Sequence, residues 1–275
     1  MKECLLTTDY ADKGEVMEKG IYSNKVFISH SSLDLAYVKP FVELLEFVGA
    51  NPSNMFCSSV SNYNIPLDYN IFDYLRDQFQ NYNLRVIYFL SKNYYNSPVC
   101  LAEMGAAWVL QQNYTCILLP GFDFHDIKGV IDQMRISIKI DGQVTELNQR
   151  LDELKNIIRS EFGMTSVPFA QNRWEEYRNN FIMTSKSINT YWDQIKRLRD
   201  NGSPIEDLID PLKRLLKASP TSYDAMYLLG RVYIELEDID NAISCLNAVL
   251  KYEKTGELHN MANKMLRSLG YPEIS

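Results

Sequence analysis

The sequence has few of the residues that build disulfide frameworks and metal centres. Its five cysteines are odd in number and widely scattered, no CxxC pair occurs, and its three histidines lie far apart. A disulfide framework or a zinc site is therefore not expected. Three of the cysteines stand in apolar sequence, which favours ordinary buried thiols, and no motif supports a Cys–His nucleophilic pair. These residues are Cys4, Cys57, Cys100, Cys116, Cys245, His30, His125 and His259.

Long apolar runs and a secretory leader are also missing. No run approaches the ~18 residues of a membrane span, and residues 1–20 are polar and acidic without an apolar leader core. A cytoplasmic protein is expected. The net charge of −7 argues against nonspecific binding to nucleic acid or anionic membranes. The chain has no GxGxxG fingerprint, no Walker loop and no carboxylate-rich metal site, so no bound cofactor or metal is predicted.

What is present is a globular chain of 275 residues with 46% apolar and 23% charged residues, long enough for two domains. Its first part alternates short apolar runs with amphipathic ones, which predicts a parallel sheet covered on both faces. Strands are predicted at 25–29, 55–57, 85–90, 116–119 and 136–140. Helices are predicted at 40–48, 71–79, from 98 onward and at 146–161. Ligands bind such sheets beyond the carboxyl ends of the strands, here 29–32, 58–65 and 91–97.

The sequence changes character in its second half, and from Asn172 onward it shows no strand pattern. Apolar residues recur at spacings of three and four from 174 to 198, which indicates one long helix or two in series. Further helices are predicted at about 205–218, 223–236, 239–252 and 257–269. We therefore divide the chain into an N-terminal extension, an α/β domain and an all-helical domain, at 1–23, 24–165 and 166–275.

The helical part contains a partial repeat with a 34-residue period. Its small and large packing positions resemble those of a tetratricopeptide repeat, and a generic helical bundle is the alternative. The positions are Leu208, Leu212, Pro220, Leu229, Gly230, Tyr233, Ala242 and Leu246.

Glu103 is the only charged residue between Pro98 and Val109. Ser97 is predicted to cap this helix, with Pro98 at its first position. No base lies one turn from Glu103, and a buried unpaired carboxylate is costly unless its pKa rises. Glu103 is therefore a candidate for chemistry. Two alternatives stay open: a Lys or Arg from elsewhere pairs with it, or its tip reaches water.

The segment around Glu103 has a specific pattern, because Ser91, Tyr94, Ser97, Cys100 and Glu103 follow one another at spacings of three. It resembles the strand-loop-helix segment of Toll/interleukin-1 receptor (TIR) domains, above all bacterial and plant ones. The resemblance covers roughly 24–163. Further segments that look like this family are Val26–Ser31, Cys57–Ser59, Ile65–Pro66 and Asn70–Ile71.

This resemblance implies a flavodoxin-like sheet of five parallel strands. In enzymatic TIR domains it also implies cleavage of NAD+, as a substrate, between nicotinamide and ribose, with Glu103 at the catalytic position. Many enzymatic members have Trp where this chain has Val99. We therefore expect another aromatic residue to contact the nicotinamide, with Phe27, Tyr94 and Tyr63 as candidates.

Polar residues at the predicted strand ends are candidates for binding ribose or phosphate. Turn formation and helix capping are the alternative roles for each of them. With Phe27, the candidate substrate-binding residues are Ser29, His30, Ser31, Ser58, Tyr94 and Ser97.

Two functions follow as hypotheses. The first is an NAD+ glycohydrolase that releases nicotinamide and ADP-ribose or a cyclic ADP-ribose. It would be regulated by self-association of the TIR domain and by the helical domain, which would bind a protein activator, and bacterial TIR enzymes of this kind often serve in antiphage defence. The second is a noncatalytic TIR adaptor that works through protein–protein contacts.

Overall fold

The structure, a computed structural model, describes residues 23–60, 62–64, 70–252 and 257–271. Within these residues, five parallel strands form one sheet in the order β2-β1-β3-β4-β5, which is the flavodoxin-like order. The predicted fold class, an α/β unit followed by helices, is confirmed. The extension up to residue 22, with Cys4, and Ile65–Pro66 lie outside the described residues. The strands are β1 (Asn24–Ser29), β2 (Met55–Phe56), β3 (Asn83–Leu90), β4 (Asn113–Leu118) and β5 (Ile138–Lys139).

Helices cover both faces of the sheet because successive strand residues point to opposite sides. Val26 and Ile28 of β1 pack with α1 and α5, whereas Phe27 packs with α2 and α4 on the other face. The helices of this part are α1 (Leu35–Val48), α2 (Ile71–Asn81), α3 (Lys92–Asn96), α4 (Pro98–Val109) and α5 (Val144–Glu161).

Two local predictions need correction, and one short helix was not predicted. Helix α1 begins at Leu35 rather than at Pro40, since one missing backbone donor does not stop a helix whose preceding residues, 35–38, are all buried. Strand β5 is only Ile138–Lys139, and Ile136, predicted to start it, is 68% exposed. The short helix α3 was not predicted, because its five residues are too few to show a periodicity.

The described residues of the second half form helices joined by short loops, and each predicted helix is present. A single long helix replaces the alternative of two in series. These helices are α6 (Gln171–Asp200), α7 (Ile209–Ala218), α8 (Tyr223–Glu235), α9 (Ile239–Tyr252) and α10 (Glu257–Ser268). None of the helices in the described ranges combines the length and apolar character that a membrane crossing requires.

Helix α6 joins the two halves by packing on α1. The rings of Phe41 and Phe181 lie 5.5 Å apart, and Phe47 stacks on Tyr177 at 4.8 Å. One buried cluster runs from the sheet through α1 and α6 into α7–α10. The helical part therefore shares its core with the sheet, and the proposed domain boundary at residue 165 stays a prediction.

Candidate functional site

The candidate site lies where β1 and β3 end side by side, at the point where the strand order reverses. After β3, Ser91 caps α3 by accepting a hydrogen bond from the Tyr94 backbone N–H at 3.0 Å. Ser97 then caps α4 by accepting from the Cys100 backbone N–H at 3.4 Å, with Pro98 at the first helical position. The predicted start of this helix is confirmed, and it fixes where Glu103 emerges.

Glu103 points from the second turn of α4 toward the end of β1. Ser29 Oγ donates a hydrogen bond to Glu103 Oε2 at 2.6 Å. Among the described residues, no Lys or Arg forms an ion pair with this carboxylate. Burial raises the pKa of Glu103 to about 7, although the Ser29 hydrogen bond lowers it. The carboxyl group therefore exchanges its proton near neutral pH, as a group poised for chemistry does.

Tyr94 fixes the position of Ser29. The tyrosine is fully buried, and its hydroxyl lies 3.0 Å from both Ser29 Oγ and the Cys100 carbonyl oxygen. Burial raises the pKa of Tyr94 well above its usual value, so the hydroxyl remains protonated. The structure thus brings three sequence candidates, Ser29, Tyr94 and Glu103, into one hydrogen-bonded group.

His30 is buried beside this group and is neutral. Its Nδ1 lies 3.3 Å from the Ile28 carbonyl oxygen, and within the described residues its Nε2 has no hydrogen-bond partner. Burial lowers the pKa of His30 to about 4. Cys57 Sγ lies 3.9 Å from His30 Nδ1, but burial raises the pKa of Cys57 to about 12. With the thiol protonated and the imidazole neutral, this contact is not an activated Cys–His nucleophile.

The remaining candidates take different positions. Phe27 lies in the core, 1% exposed and stacked on Phe56 at 4.3 Å, so its ring packs the sheet. Ser31 is buried at the start of a 3-10 turn and makes no side-chain cap bond, whereas Ser58 is exposed. Val99, which replaces the expected Trp, is 44% exposed.

Sequence reasoning missed Asp34, which lies two residues beyond the stretch that was expected to hold site residues. Asp34 is 4% exposed and accepts hydrogen bonds from Ser91 Oγ at 2.5 Å and Asn93 Nδ2 at 2.8 Å. Burial raises the pKa of Asp34 to about 6, while these two hydrogen bonds lower it. An aspartate after a strand usually caps a helix, so its sequence position alone gives no signal of this role.

Two clefts adjoin the junction of the two halves. A cleft of about 480 Å³ is lined by Asp34 and Ser91 on the sheet side and by Trp192 and Asp224 on the helical side. Burial raises the pKa of Asp224 to about 7, and the charge of Asp34 adds to the rise.

The other cleft, of about 570 Å³, lies between α1, the loop after β2 and the turn before α8. Tyr63 lines it and donates a hydrogen bond to Glu46 at 2.8 Å. Tyr63 is thus held by α1 in the free protein. In the described part of the chain, no group of three or more His, Cys, Asp or Glu side chains is arranged to hold a metal ion.

Comparisons with known proteins identify the helical part. Residues 211–264 match the family model of the tetratricopeptide repeat, which confirms the predicted repeat across α7–α10. The uncharacterized protein YddK of Bacillus subtilis (strain 168) is 35% identical over 171 residues, or 62% of this chain. The match spans 59% of that relative's own length. These matches include no TIR-domain model.

Proposed function

We propose that this protein is an NAD+ glycohydrolase that cleaves the bond between nicotinamide and ribose, with Glu103 as the catalytic carboxylate. The observation that carries the proposal is the position of Glu103. It is partly buried at the loop edge of a flavodoxin-like sheet, and a hydroxyl rather than a structural cation contacts it in the described residues. The TIR resemblance of the surrounding sequence supplies the substrate class.

The chemistry suits a single carboxylate. Nicotinamide leaves NAD+ as a neutral base, so its departure needs no general acid. Positive charge instead builds on the ribose, as in other glycoside cleavages that pass through an oxocarbenium-like transition state. A carboxylate in a water-poor site stabilises that charge strongly and can also accept hydrogen bonds from the ribose hydroxyls.

The pKa of Glu103, about 7, links substrate binding to ionisation. In the free protein the carboxyl group is close to half protonated at neutral pH. The nicotinamide ring of NAD+ is cationic, and a cation nearby lowers the pKa of a carboxyl group. Binding of the substrate would therefore ionise Glu103 as it enters the site, so the charge appears where the transition state needs it.

The three aromatic residues expected to contact the nicotinamide ring are all held in other contacts. Phe27 is enclosed in the core, and Tyr94 is buried with its hydroxyl engaged by Ser29. Tyr63 is 6% exposed and held by Glu46. We therefore infer that the ring contact arises when the protein assembles. This inference agrees with an enzyme that has little activity until it is stimulated.

Regulation by the helical half is part of the proposal. Thr221 and Tyr223, within the tetratricopeptide region, share a cleft with Ser59 and Tyr63 of the loop after β2. An activator bound to the helices would act on that loop directly. Self-association of the TIR-like half and a role in antiphage defence rest on the resemblance alone.

The test is to incubate the purified protein with NAD+ and to follow nicotinamide, ADP-ribose and cyclic ADP-ribose by chromatography. Glu103→Gln keeps the shape and the acceptor for Ser29 but removes the charge, and we expect turnover to fall at least about a hundredfold. Glu176→Gln, an exposed carboxylate on α6, is the matched control and should turn over like the wild type. Equal turnover in the Glu103 variant and the control would remove Glu103 from the mechanism.

A noncatalytic adaptor is the second candidate, and the tetratricopeptide match at residues 211–264 favours it. Helical repeats of this class present concave surfaces that bind peptides and other proteins. Absence of NAD+ loss at every protein concentration, together with capture of a defined partner by residues 166–275 in the full chain, would favour this function over the enzyme.

A further inference from the structure

Asp34 ties together the loops that follow two neighbouring strands. It stands shortly after β1, and both of its carboxylate oxygens accept hydrogen bonds from the start of α3, which follows β3. Ser91 Oγ donates to Oδ2 at 2.5 Å, and Asn93 Nδ2 donates to Oδ1 at 2.8 Å. A side chain with two acceptors and no donor is what this pair of donors requires.

Two sets of hydrogen bonds, joined by the covalent side chain of Tyr94, connect Asp34 to Glu103. Ser91 Oγ accepts from the Tyr94 backbone N–H at 3.0 Å. The Tyr94 hydroxyl lies 3.0 Å from both Ser29 Oγ and the Cys100 carbonyl oxygen, which share its single proton as acceptors. Ser29 Oγ then donates to Glu103 at 2.6 Å. A helix of five residues such as α3 is not stable alone, so its position depends on these anchors.

We propose that Asp34 is a positioning residue for the reaction at Glu103. It holds the capped start of α3, so that the Tyr94 hydroxyl keeps Ser29 against the catalytic carboxylate. Its contribution to turnover rests on the proposed function, whereas its mechanical link to Glu103 does not. The hydrogen bonds of Asp34 come from Ser91 and Asn93, whereas that of Glu103 comes from Ser29.

The surroundings of Asp34 indicate that it acts as a hydrogen-bond acceptor rather than as half of an ion pair. Among the described residues, no Lys or Arg lies within ion-pair distance of its carboxylate. Charged groups of both signs line the same cleft. They are Lys92 on α3, Asp193, Lys196 and Arg199 on α6, and Asp224 on α8.

The first experiment measures NAD+ cleavage by Asp34→Asn, Tyr94→Phe and the double variant. Asparagine offers one acceptor and places a donor against a donor, so we expect kcat to fall about tenfold with little change in KM. Both substitutions act through the Tyr94 hydroxyl. The kcat of the double variant should therefore be no lower than that of the more impaired single variant. Losses that multiply would overturn the proposal. Asp193→Asn, in the same cleft but outside the chain of bonds, should behave as wild type.

The second experiment does not depend on turnover. The pKa of Glu103 is measured by carbon-13 NMR of the glutamate carboxyl groups, with Glu103→Gln for assignment. In Asp34→Asn the Ser29 hydrogen bond that lowers this pKa is loosened, so the pKa should rise. Ser91→Ala, a smaller change at the next link, should do the same and serves if Asp34→Asn fails to fold. An unchanged pKa in a folded variant overturns the proposal. Absence of NAD+ cleavage by the wild type at every protein concentration would refute only the proposed function.

Discussion

The charge of Glu103 should destabilise the folded protein above neutral pH, and Glu103→Gln should relieve this cost. The folded state holds the proton of Glu103 more tightly than the unfolded chain, because burial raises its pKa from 4.5 to about 7. As pH rises through this window, the unfolded chain releases the proton first. The free energy of unfolding therefore falls with rising pH, and the loss is complete only above the folded pKa.

The magnitude follows from the same values. A change in pKa from 4.5 to about 7, at about 1.4 kcal/mol for each pKa unit, costs about 3 kcal/mol of stability at about pH 8. Glutamine fills nearly the same volume and still accepts the hydrogen bond from Ser29. We therefore expect the free energy of unfolding of Glu103→Gln to equal that of the wild type at about pH 4.5. At about pH 8 it should be larger by about 3 kcal/mol.

Urea denaturation across this pH range, followed by circular dichroism, measures the effect. The quantity compared is the difference in unfolding free energy between variant and wild type at each pH, which cancels the titration of other groups. Glu176→Gln, an exposed change on α6, should show no such trend. A difference for Glu103→Gln that stays constant with pH would show that the carboxylate is solvated or paired, and would refute both the burial argument and the case for catalysis.

Three further outcomes are expected. Because Glu103 must be ionised, kcat/KM for NAD+ should rise about tenfold per pH unit below about 7 and level off above it; a flat profile would contradict this role. Ser29→Ala removes the hydrogen bond that lowers the pKa of Glu103, so the midpoint of that profile should move to higher pH. Gly230→Ala places a Cβ 3.2 Å from Leu246 and should destabilise the protein by about 1–3 kcal/mol in thermal unfolding. The matched control, Gly105→Ala, meets nothing within 4 Å and should be neutral or stabilising, and equal effects would refute the packing argument.

Sequence reasoning found the elements whose signal is local. The buried strand β3 contains the continuous apolar run 86–90, and the helices after residue 172 have an apolar face with a period of three to four residues. The start of α4 was recognised because Ser97 and Pro98 are the residue types that a helix start requires. It failed for α3, whose position is set by contacts with Asp34 rather than by any pattern within its five residues.

The residues of the candidate site also differ in whether local sequence reveals them. Glu103 could be identified from the sequence because a lone charge in an apolar helix is unusual wherever that helix lies. Phe27 could not be distinguished from a site residue, since only the orientation of β1 places it in the core. The link from Asp34 to Glu103 joins residues 69 positions apart, and no local pattern can contain it.

The sequence by itself determined the α/β and helical parts, the repeat in the second part and the candidate carboxylate, because helix periods, caps and buried runs act over a few neighbouring residues. Only the tertiary structure decided what surrounds that carboxylate. The end of β1 places Ser29 within 2.6 Å of Glu103, and burial raises the pKa of the carboxyl group to about 7. Burial and partner choice depend on residues brought together from distant parts of the chain, so they exist only after the sheet has formed.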